Sequence, residues 1–261
     1  MFGRFEINTL CIDTHDKLYY YILIYFCTFS LQELKDIKTG TCLCLCRGDC
    51  RSLTANIGAA LHVEKEFIED KLNKLTAPPQ LYYIEGFFIP EKFHIIKFLH
   101  DKYSKNTDTL LTTNLNAPYI VKNFTKDITW LVRAADIVFG NKDEFEELAT
   151  INGFPAMDDL LTNLLNGYDK NGRNKVIIVT DGANPVMIYE GHLNNIQFDS
   201  HSVPEVDTDS IVDTTGAGDS FVSGFLHAFL QQKTTKSIKE CVEFGCQVSA
   251  KVITVIGCNM P

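Results

Sequence analysis

The sequence predicts a three-layer α/β domain with a mostly parallel central sheet, and two observations carry this prediction. From about Leu81 onward, short apolar runs alternate with amphipathic stretches of helical spacing. Strands that alternate with helices form βαβ units, which place helices on both faces of a parallel sheet. Composition agrees with a packed domain, since 45% of the 261 residues are hydrophobic and 22% are charged.

The predicted elements follow in chain order. Four short apolar runs, often β-branched, predict strands at residues 81–84, 110–113, 137–140 and 176–180. Helical spacing predicts helices at residues 91–103, 143–150, 157–165 and 237–256. Residues 186–209 alternate and contain turn residues, which predicts a hairpin. Because ligands bind at the carboxyl ends of the strands in such sheets, we expect the loops there to carry the function.

The first 38 residues lack this pattern. We therefore expect an atypical N-terminal segment at residues 1–38 and the α/β domain at residues 39–261. The aromatic and β-branched run at residues 18–31 is shorter than the roughly 20 residues of a membrane span, and it predicts a buried strand. The absence of a secretory signal predicts a cytoplasmic protein, with a nuclear location also open.

The charge balance narrows the class of partner. Lys and Arg number 24 against 33 Asp and Glu, a net charge of −9. Such an acidic chain is poorly suited to nucleic acid or to an anionic membrane surface. We expect small-molecule ligands, and any bound phosphate must be held by groups at its own site, because the net charge of the chain does not attract it.

Four of the nine cysteines crowd together, at Cys42, Cys44, Cys46 and Cys50. A zinc site is one interpretation, although its usual C-x2-C spacing is missing. Alternation over residues 41–46 instead places three thiols on one face of a strand, where buried, reduced thiols act as small hydrophobes. We favour the second interpretation and predict no structural metal.

The loop at residues 213–219, Asp-Thr-Thr-Gly-Ala-Gly-Asp, precedes an apolar helical run. Its glycines allow close approach of a ligand to backbone amides at a helix start, where the dipole favours an anion. Asp219 then falls in the first helical turn, where a general base for a hydroxyl attacking phosphorus would be useful. The alternative is a helix cap after a simple turn. Neither the dinucleotide G-x-G-x-x-G spacing nor a Walker lysine is present.

This loop, followed by the pair Ser223-Gly224, resembles the C-terminal signature of the ribokinase-like (PfkB) sugar and nucleoside kinases. Further stretches resemble the adenosine kinase branch of that family, in its order and at close to its spacing: residues 39–42, 51–56, 83–88, 114–119 and 139–141. The resemblance extends from Thr39 to the end of the chain. It implies the ribokinase-like fold and transfer of the ATP γ-phosphate to the 5′-hydroxyl of adenosine, which gives AMP for purine salvage.

The resemblance also implies residue roles. Asp219 would be the base, and Gly216, Ala217 and Gly218 would form the anion hole for the transferred phosphoryl group. Arg51 would reach over the phosphates, with a surface ion pair as the alternative.

Further implied contacts concern the metal, the acceptor and ATP. Asn141 and Glu144 would support Mg²⁺, through water, although Glu144 also fits an ordinary helix-start acid. The implied substrate contacts are Leu53, Ala55, Phe87, Tyr119 and Thr215, of which the first four are equally compatible with the core. The implied ATP-side contacts are Asn141, Glu144, Thr180, Gly182, Asp213, Gly245 and Cys246.

The sequence departs from the family at Thr215, where the family has Asn, and at Cys246, where adenosine kinases often have His. It also lacks a Gly-Gly motif that grips the ribose hydroxyls, and the family's N-terminal portion is not recognisable. Two alternatives therefore stay open: another ribokinase-like sugar or nucleoside kinase, and a catalytically impaired nucleotide-binding fragment. As a full-length enzyme it would be a monomer.

Overall fold

The structure is a computed structural model. It describes residues 10–11, 28–29, 34, 36–47, 50–104, 108–170, 172–231 and 237–257, with the side chains of residues 10–11, 28–29, 44–47 and 50–53 outside the description. The described residues fall into two compact units divided between Gln80 and Leu81. Most of the run at residues 18–31 lies outside the described residues, so its predicted strand stays a prediction.

The first unit contains strands β1 (Leu10–Cys11), β2 (Thr28–Phe29), β3 (Thr39–Arg47) and β4 (Cys50–Gly58), and helix α1 (Lys65–Asn73). β3 and β4 form an antiparallel hairpin in which Cys42 pairs with Ala55. The expectation of buried thiols is wrong for Cys42, whose side chain is exposed. The physical reason is local, because Leu43 on the other face of β3 is 60% exposed as well, so neither face is covered at this point of the hairpin.

The second unit, Leu81–Pro261, contains the alternating strands and helices predicted from Leu81 onward, whereas the predicted domain bounds of 39–261 stay a prediction. Its strands are β5 (Leu81–Glu85), β6 (Leu110–Asn114), β7 (Ile137–Asn141), β8 (Lys175–Asp181), β9 (Asn184–His192) and β10 (Asn195–His201). Its helices are α2 (Phe93–Tyr103), α3 (Pro118–Asn123), α4 (Thr125–Ala134), α5 (Lys142–Ile151), α6 (Met157–Asn166), α7 (Ala217–Leu230) and α8 (Ile238–Val252). All four predicted strands and all four predicted helices are present. The helices α3 and α4 were not predicted.

The six strands form one sheet in the order β10-β9-β8-β7-β6-β5. The four strands from β5 to β8 pair in parallel, and β9 and β10 add antiparallel at one edge. The last two strands confirm the hairpin that the alternating segment predicted. The sheet is therefore mostly parallel, as expected.

Alternation along the central strands explains the three layers. In β7, Ile137 and Phe139 face the cluster formed with α7 and α8, whereas Val138 faces the cluster formed with α3 to α6. β8 repeats the pattern, with Ile178 on the first face and Ile177 on the second. Because successive side chains of a strand point to opposite faces, an apolar strand of this kind needs helices on both sides.

Candidate active site

Three neighbouring strands end in polar side chains at one edge of the sheet. β5 ends at Glu85, β6 at Asn114 and β7 at Asn141. The pairing register places Glu85 beside Asn114, and Asn141 beside Thr180 of β8. These are the carboxyl ends of parallel strands, where α/β sheets of this type bind ligands.

The glycine loop lies before α7. Gly216 adopts a left-handed conformation with φ of 77° and precedes the first residue of the helix. The Ala217 N–H donates to the Thr214 carbonyl at 3.2 Å, and the first helical bond joins the Ser220 N–H to the Gly216 carbonyl at 2.8 Å. A Cβ atom placed on Gly218 would meet no atom within 4 Å. The helix start therefore faces open space, as an anion site requires.

Hydrogen bonds to its own backbone and to the C-terminal region fix the loop. Asp213 accepts from the Thr215 N–H and from the Gly257 N–H, each at 2.9 Å. The Ser249 hydroxyl donates to the Ala217 carbonyl at 2.9 Å. Asp213 and Thr215 thus shape the loop, and their predicted contacts to ATP and substrate stay predictions.

Asp219 lies in the first turn of α7 and is half-buried. Its negative charge raises the pKa of carboxyl groups on two other elements. Burial raises the pKa of Glu85 to about 7, and the charge of Asp219 adds to this shift. Burial likewise raises the pKa of Glu144 to about 7, with further contributions from Asp143 and Asp219. The fold therefore brings Asp219, Glu85 and Glu144 into electrostatic range of one another.

Asn141 and Glu144 form a capping box at the start of α5. The Asn141 side-chain oxygen accepts from the Glu144 N–H, and the Glu144 carboxylate accepts from the Asn141 N–H, both at 2.8 Å. The Asn141 side-chain amide also donates to Glu144, at 3.0 Å. Glu144 is only 3% exposed. Both interpretations of Glu144 are compatible with this geometry, because a capping carboxylate keeps lone pairs for a hydrated cation.

Two of the predicted substrate contacts lie together. Phe87 and Tyr119 follow β5 and β6, and their ring centroids are 6.2 Å apart. They are 52% and 57% exposed, so the alternative of a place in the core is wrong for both. The Gly86 backbone approaches the β6 loop closely, since a Cβ atom there would lie 2.6 Å from the Leu115 carbonyl oxygen.

Sequence reasoning missed Glu85 and Asn116 as site residues. The Asn116 side chain accepts a hydrogen bond from the Gly86 N–H and donates one to the Glu85 carboxylate. Asn116 adopts φ of 66°, a left-handed conformation that asparagine tolerates better than most residues. An acidic residue directly at the end of an apolar strand was the available signal for Glu85.

An open cavity of about 520 Å³ lies between residues 204–210 and the C-terminal half of α8. Its lining includes Val206, Gln247 and Ala250. The glycine loop is anchored to the same part of the chain, because the Asp213 N–H donates to the Ile253 carbonyl at 3.3 Å. The cavity is therefore a neighbour of the loop, and sequence reasoning did not find it.

The predicted ATP-side residues Gly245 and Cys246 lie where α8 packs on α7. A Cβ atom on Gly245 would lie 2.8 Å from the Phe221 carbonyl oxygen, so this glycine permits close packing of the two helices. The Cys246 side chain is 2% exposed within the core, and burial raises the pKa of its thiol to about 11. Their predicted contact with ATP stays a prediction.

Thr180 and Gly182 flank the turn between β8 and β9. The Thr180 hydroxyl donates to the Gly140 carbonyl at 3.5 Å, and Gly182 has φ of 57° with open space around its Cα. Three further predicted residues belong to β4 of the first unit. The Ala55 side chain is exposed, which removes the core alternative, whereas the side chains of Arg51 and Leu53 lie outside the described residues.

In the described ranges, no three His, Cys, Asp or Glu side chains are placed so that together they could hold a metal ion. No helix in the same part of the chain is long and apolar enough to cross a membrane.

Comparison with known proteins decides the family. The model of the pfkB family carbohydrate kinases matches residues 28–261. The chain belongs to the pfkB family. The match starts inside the segment that we expected to be atypical, and the boundary at residue 38 stays a prediction.

Curated relatives of this pfkB family chain include several adenosine kinases. Adenosine kinase 2 of Arabidopsis thaliana is 32% identical over 234 residues, which are 88% of this chain and 65% of that protein. The adenosine kinase of Schizophyllum commune is 29% identical over 232 residues, 85% of this chain and 65% of that protein. The chain thus spans about 65% of the length of these relatives.

Solved structures agree with the family fold. The Anopheles gambiae adenosine kinase, in complex with P1,P4-di(adenosine-5) tetraphosphate, is 27% identical with a TM-score of 0.78, over 89% of this chain and 69% of that one. The Schistosoma mansoni adenosine kinase with 2-fluoroadenosine has a TM-score of 0.80 at 24% identity, over 93% and 70% of the two chains. Together with the sheet described above, they confirm the ribokinase-like architecture.

Proposed function

We propose that this protein transfers the γ-phosphate of ATP to the 5′-hydroxyl of adenosine and so makes AMP. One observation carries the proposal: Asp219 lies in the first helical turn behind an open glycine loop, at the carboxyl edge of a parallel sheet. This arrangement supplies a carboxylate base beside an anion site, which is what phosphoryl transfer to a hydroxyl needs.

The step can be written with its proton and its bonds. Asp219 accepts the hydroxyl proton as the hydroxyl oxygen forms a bond to the γ-phosphorus. The bond from that phosphorus to the bridging oxygen of ADP breaks, and ADP leaves with the electron pair. The backbone amides of Gly216 and Gly218 are proposed to face the transferred group and to stabilise its developing negative charge, whereas the Ala217 N–H donates to the Thr214 carbonyl and would have to leave it to join them. Positioning and charge stabilisation account for most of such catalysis.

The residues at the start of α5 fit a magnesium ion held through water. Asn141 and Glu144 offer amide and carboxylate oxygens, the donors that Mg²⁺ prefers, and each is already engaged in the capping box. When bound, the ion would neutralise phosphate charge. Arg51 is proposed to add a guanidinium contact to the phosphates.

The acceptor is proposed to be a nucleoside because of the aromatic pair. Phe87 and Tyr119 present exposed ring faces beside the end of β5, where a purine base can stack. A simple sugar would leave these rings without an apolar partner. The adenosine kinases among the relatives support the same choice. The cavity along α8 is proposed to take the nucleoside part of ATP.

The test is AMP formation from adenosine and ATP·Mg²⁺ by the whole chain and by Asp219→Asn. The variant keeps the size of the side chain and removes the base, so we expect kcat to fall by about 100-fold or more. The matched control is Asp159→Asn, which changes an exposed aspartate in the first turn of α6. This control should keep full activity.

Three outcomes would count against the proposal. Equal activity of Asp219→Asn and the unchanged chain would remove Asp219 as the base. Phosphorylation of ribose or fructose but not adenosine would replace the substrate. ATP binding without any AMP formation would favour a nucleotide-binding role without transfer.

A further inference from the structure

Glu85 is held at the substrate edge of the sheet by interactions that the proposed chemistry does not explain. Its backbone is the last residue of β5, and its side chain accepts a hydrogen bond from the Asn116 side chain. Asn116 is fixed in turn by the Gly86 N–H, which donates to its side-chain oxygen. The carboxylate therefore has a defined position, and it is half-buried.

The pleat of β5 shows which way Glu85 points. Tyr83 packs against the core cluster that contains Phe221 of α7, whereas Ile84 packs on the opposite face. Because side chains two residues apart share a face, Glu85 points to the same side as Tyr83, towards the layer that carries Asp219. The effect of the Asp219 charge on the pKa of Glu85 agrees with this direction.

The Glu85 carboxylate has two neighbouring donors. Asn116 donates to Oε2, and the Tyr83 hydroxyl lies close enough to counteract the rise in the pKa of Glu85. Because a carboxylate has about four lone-pair positions, it keeps capacity for a further donor. Two residues further along, the exposed Phe87 ring pairs with Tyr119. The carboxylate is thus two residues from a proposed stacking surface for a purine and within electrostatic range of the proposed base.

A half-buried carboxylate with acceptor capacity left over is stabilised by a further donor. The ring hydroxyls of a nucleoside are donors that lie between its base and its 5′-hydroxyl. The base is proposed to lie at the aromatic pair and the 5′-hydroxyl at Asp219, and Glu85 is a neighbour of both.

We propose that Glu85 is a specificity-determining residue, whose carboxylate, held by Asn116, accepts a hydrogen bond from a ribose ring hydroxyl of the phosphoryl acceptor. The inference rests on the proposed function for the identity of the acceptor. It assigns to β5 a direct contact with the sugar.

The test compares adenosine, 2′-deoxyadenosine and 3′-deoxyadenosine with the whole chain and with Glu85→Gln and Glu85→Ala. We expect the unchanged chain to prefer adenosine over at least one deoxy analogue by about tenfold or more in kcat/KM. Each Glu85 variant should lose activity on adenosine. Its kcat/KM values for adenosine and for that deoxy analogue should lie within about threefold of each other. Glu146→Gln, at an exposed position of α5, is the matched control and should keep the preference. Thermal melting of every variant checks folding.

Equilibrium binding of the same three nucleosides separates this inference from the proposed function. One possible result is a chain that binds adenosine in preference to a deoxy analogue without transferring phosphate, and a Glu85→Gln variant that has lost this preference. This result would support the Glu85 contact and refute the proposed phosphoryl transfer. A Glu85→Gln change that weakens all three nucleosides equally, or none, would overturn the contact. So would the absence of binding of every nucleoside.

Discussion

Gly218→Ala tests the glycine loop most sharply, because this substitution is expected to leave the stability of the fold intact and to impair phosphate binding. The residue is the second of α7, and a Cβ atom there would meet nothing within 4 Å. Alanine has a higher helix propensity than glycine, by about 0.8–1.0 kcal/mol in a helix interior. For a domain of this size, 1 kcal/mol corresponds to a shift in melting temperature of about 2–4 °C.

Because the Cβ atoms of a helix tilt towards its N-terminus, the same methyl group would lie beside the helix start, where the transferred phosphoryl group is proposed to bind. Loss of one such stabilising contact typically lowers kcat by about 100- to 1000-fold. We therefore expect Gly218→Ala to melt at the same or a slightly higher temperature and to lose at least about 100-fold in AMP formation. The assays are a thermal melt and a single-time-course measurement of AMP.

Gly245→Ala is the contrasting variant. A Cβ atom there would lie 2.8 Å from the Phe221 carbonyl oxygen and 3.0 Å from the ring of that residue. Overpacking of this kind typically destabilises by about 1–3 kcal/mol, so the melting temperature of Gly245→Ala should fall.

A Gly218→Ala protein that melts at a lower temperature, or one that keeps full turnover, would refute the assignment of open phosphate-binding space to this loop.

Two other predictions concern stability. Asn141→Ala removes the helix cap of α5, and we expect urea unfolding to report a loss of about 0.5–2 kcal/mol in the free energy of unfolding. Lys175 is fully buried, and burial lowers its pKa to about 7 from 10.5. The unfolded chain therefore binds more protons than the folded one between pH 7 and 10.5, so the free energy of unfolding should rise with pH in that window. Unfolding by urea at pH 7, 8 and 9 should show this rise in the unchanged chain and a flatter dependence in Lys175→Met. An equal slope in both proteins would contradict it.

The alternation of apolar strands and amphipathic helices was sufficient to predict the second unit. β7 and β8 are apolar at consecutive positions, which requires cover on both faces and so predicts the three layers. Helices α3 and α4 were not predicted from the sequence, although Pro118 at the first position of α3 is a typical start signal. The exposure of Cys42 was also missed, because strand alternation alone does not say whether another layer covers that face.

The sequence by itself determined the chemical components of the candidate site. The spacing of the glycine loop predicted amides at a helix start with Asp219 in the first turn, because both are local properties of consecutive residues. The structure supports that placement.

Only the tertiary structure decided which distant residues join Asp219. Glu85 ends β5, Asn116 follows β6 and Glu144 follows β7. The parallel pairing of these three strands brings their carboxyl ends to one edge of the sheet. The aromatic pair of Phe87 and Tyr119 arises in the same way. Strand order and register set these distances, and no local pattern encodes them, so Glu85 acquired a functional interpretation only when the sheet was assembled.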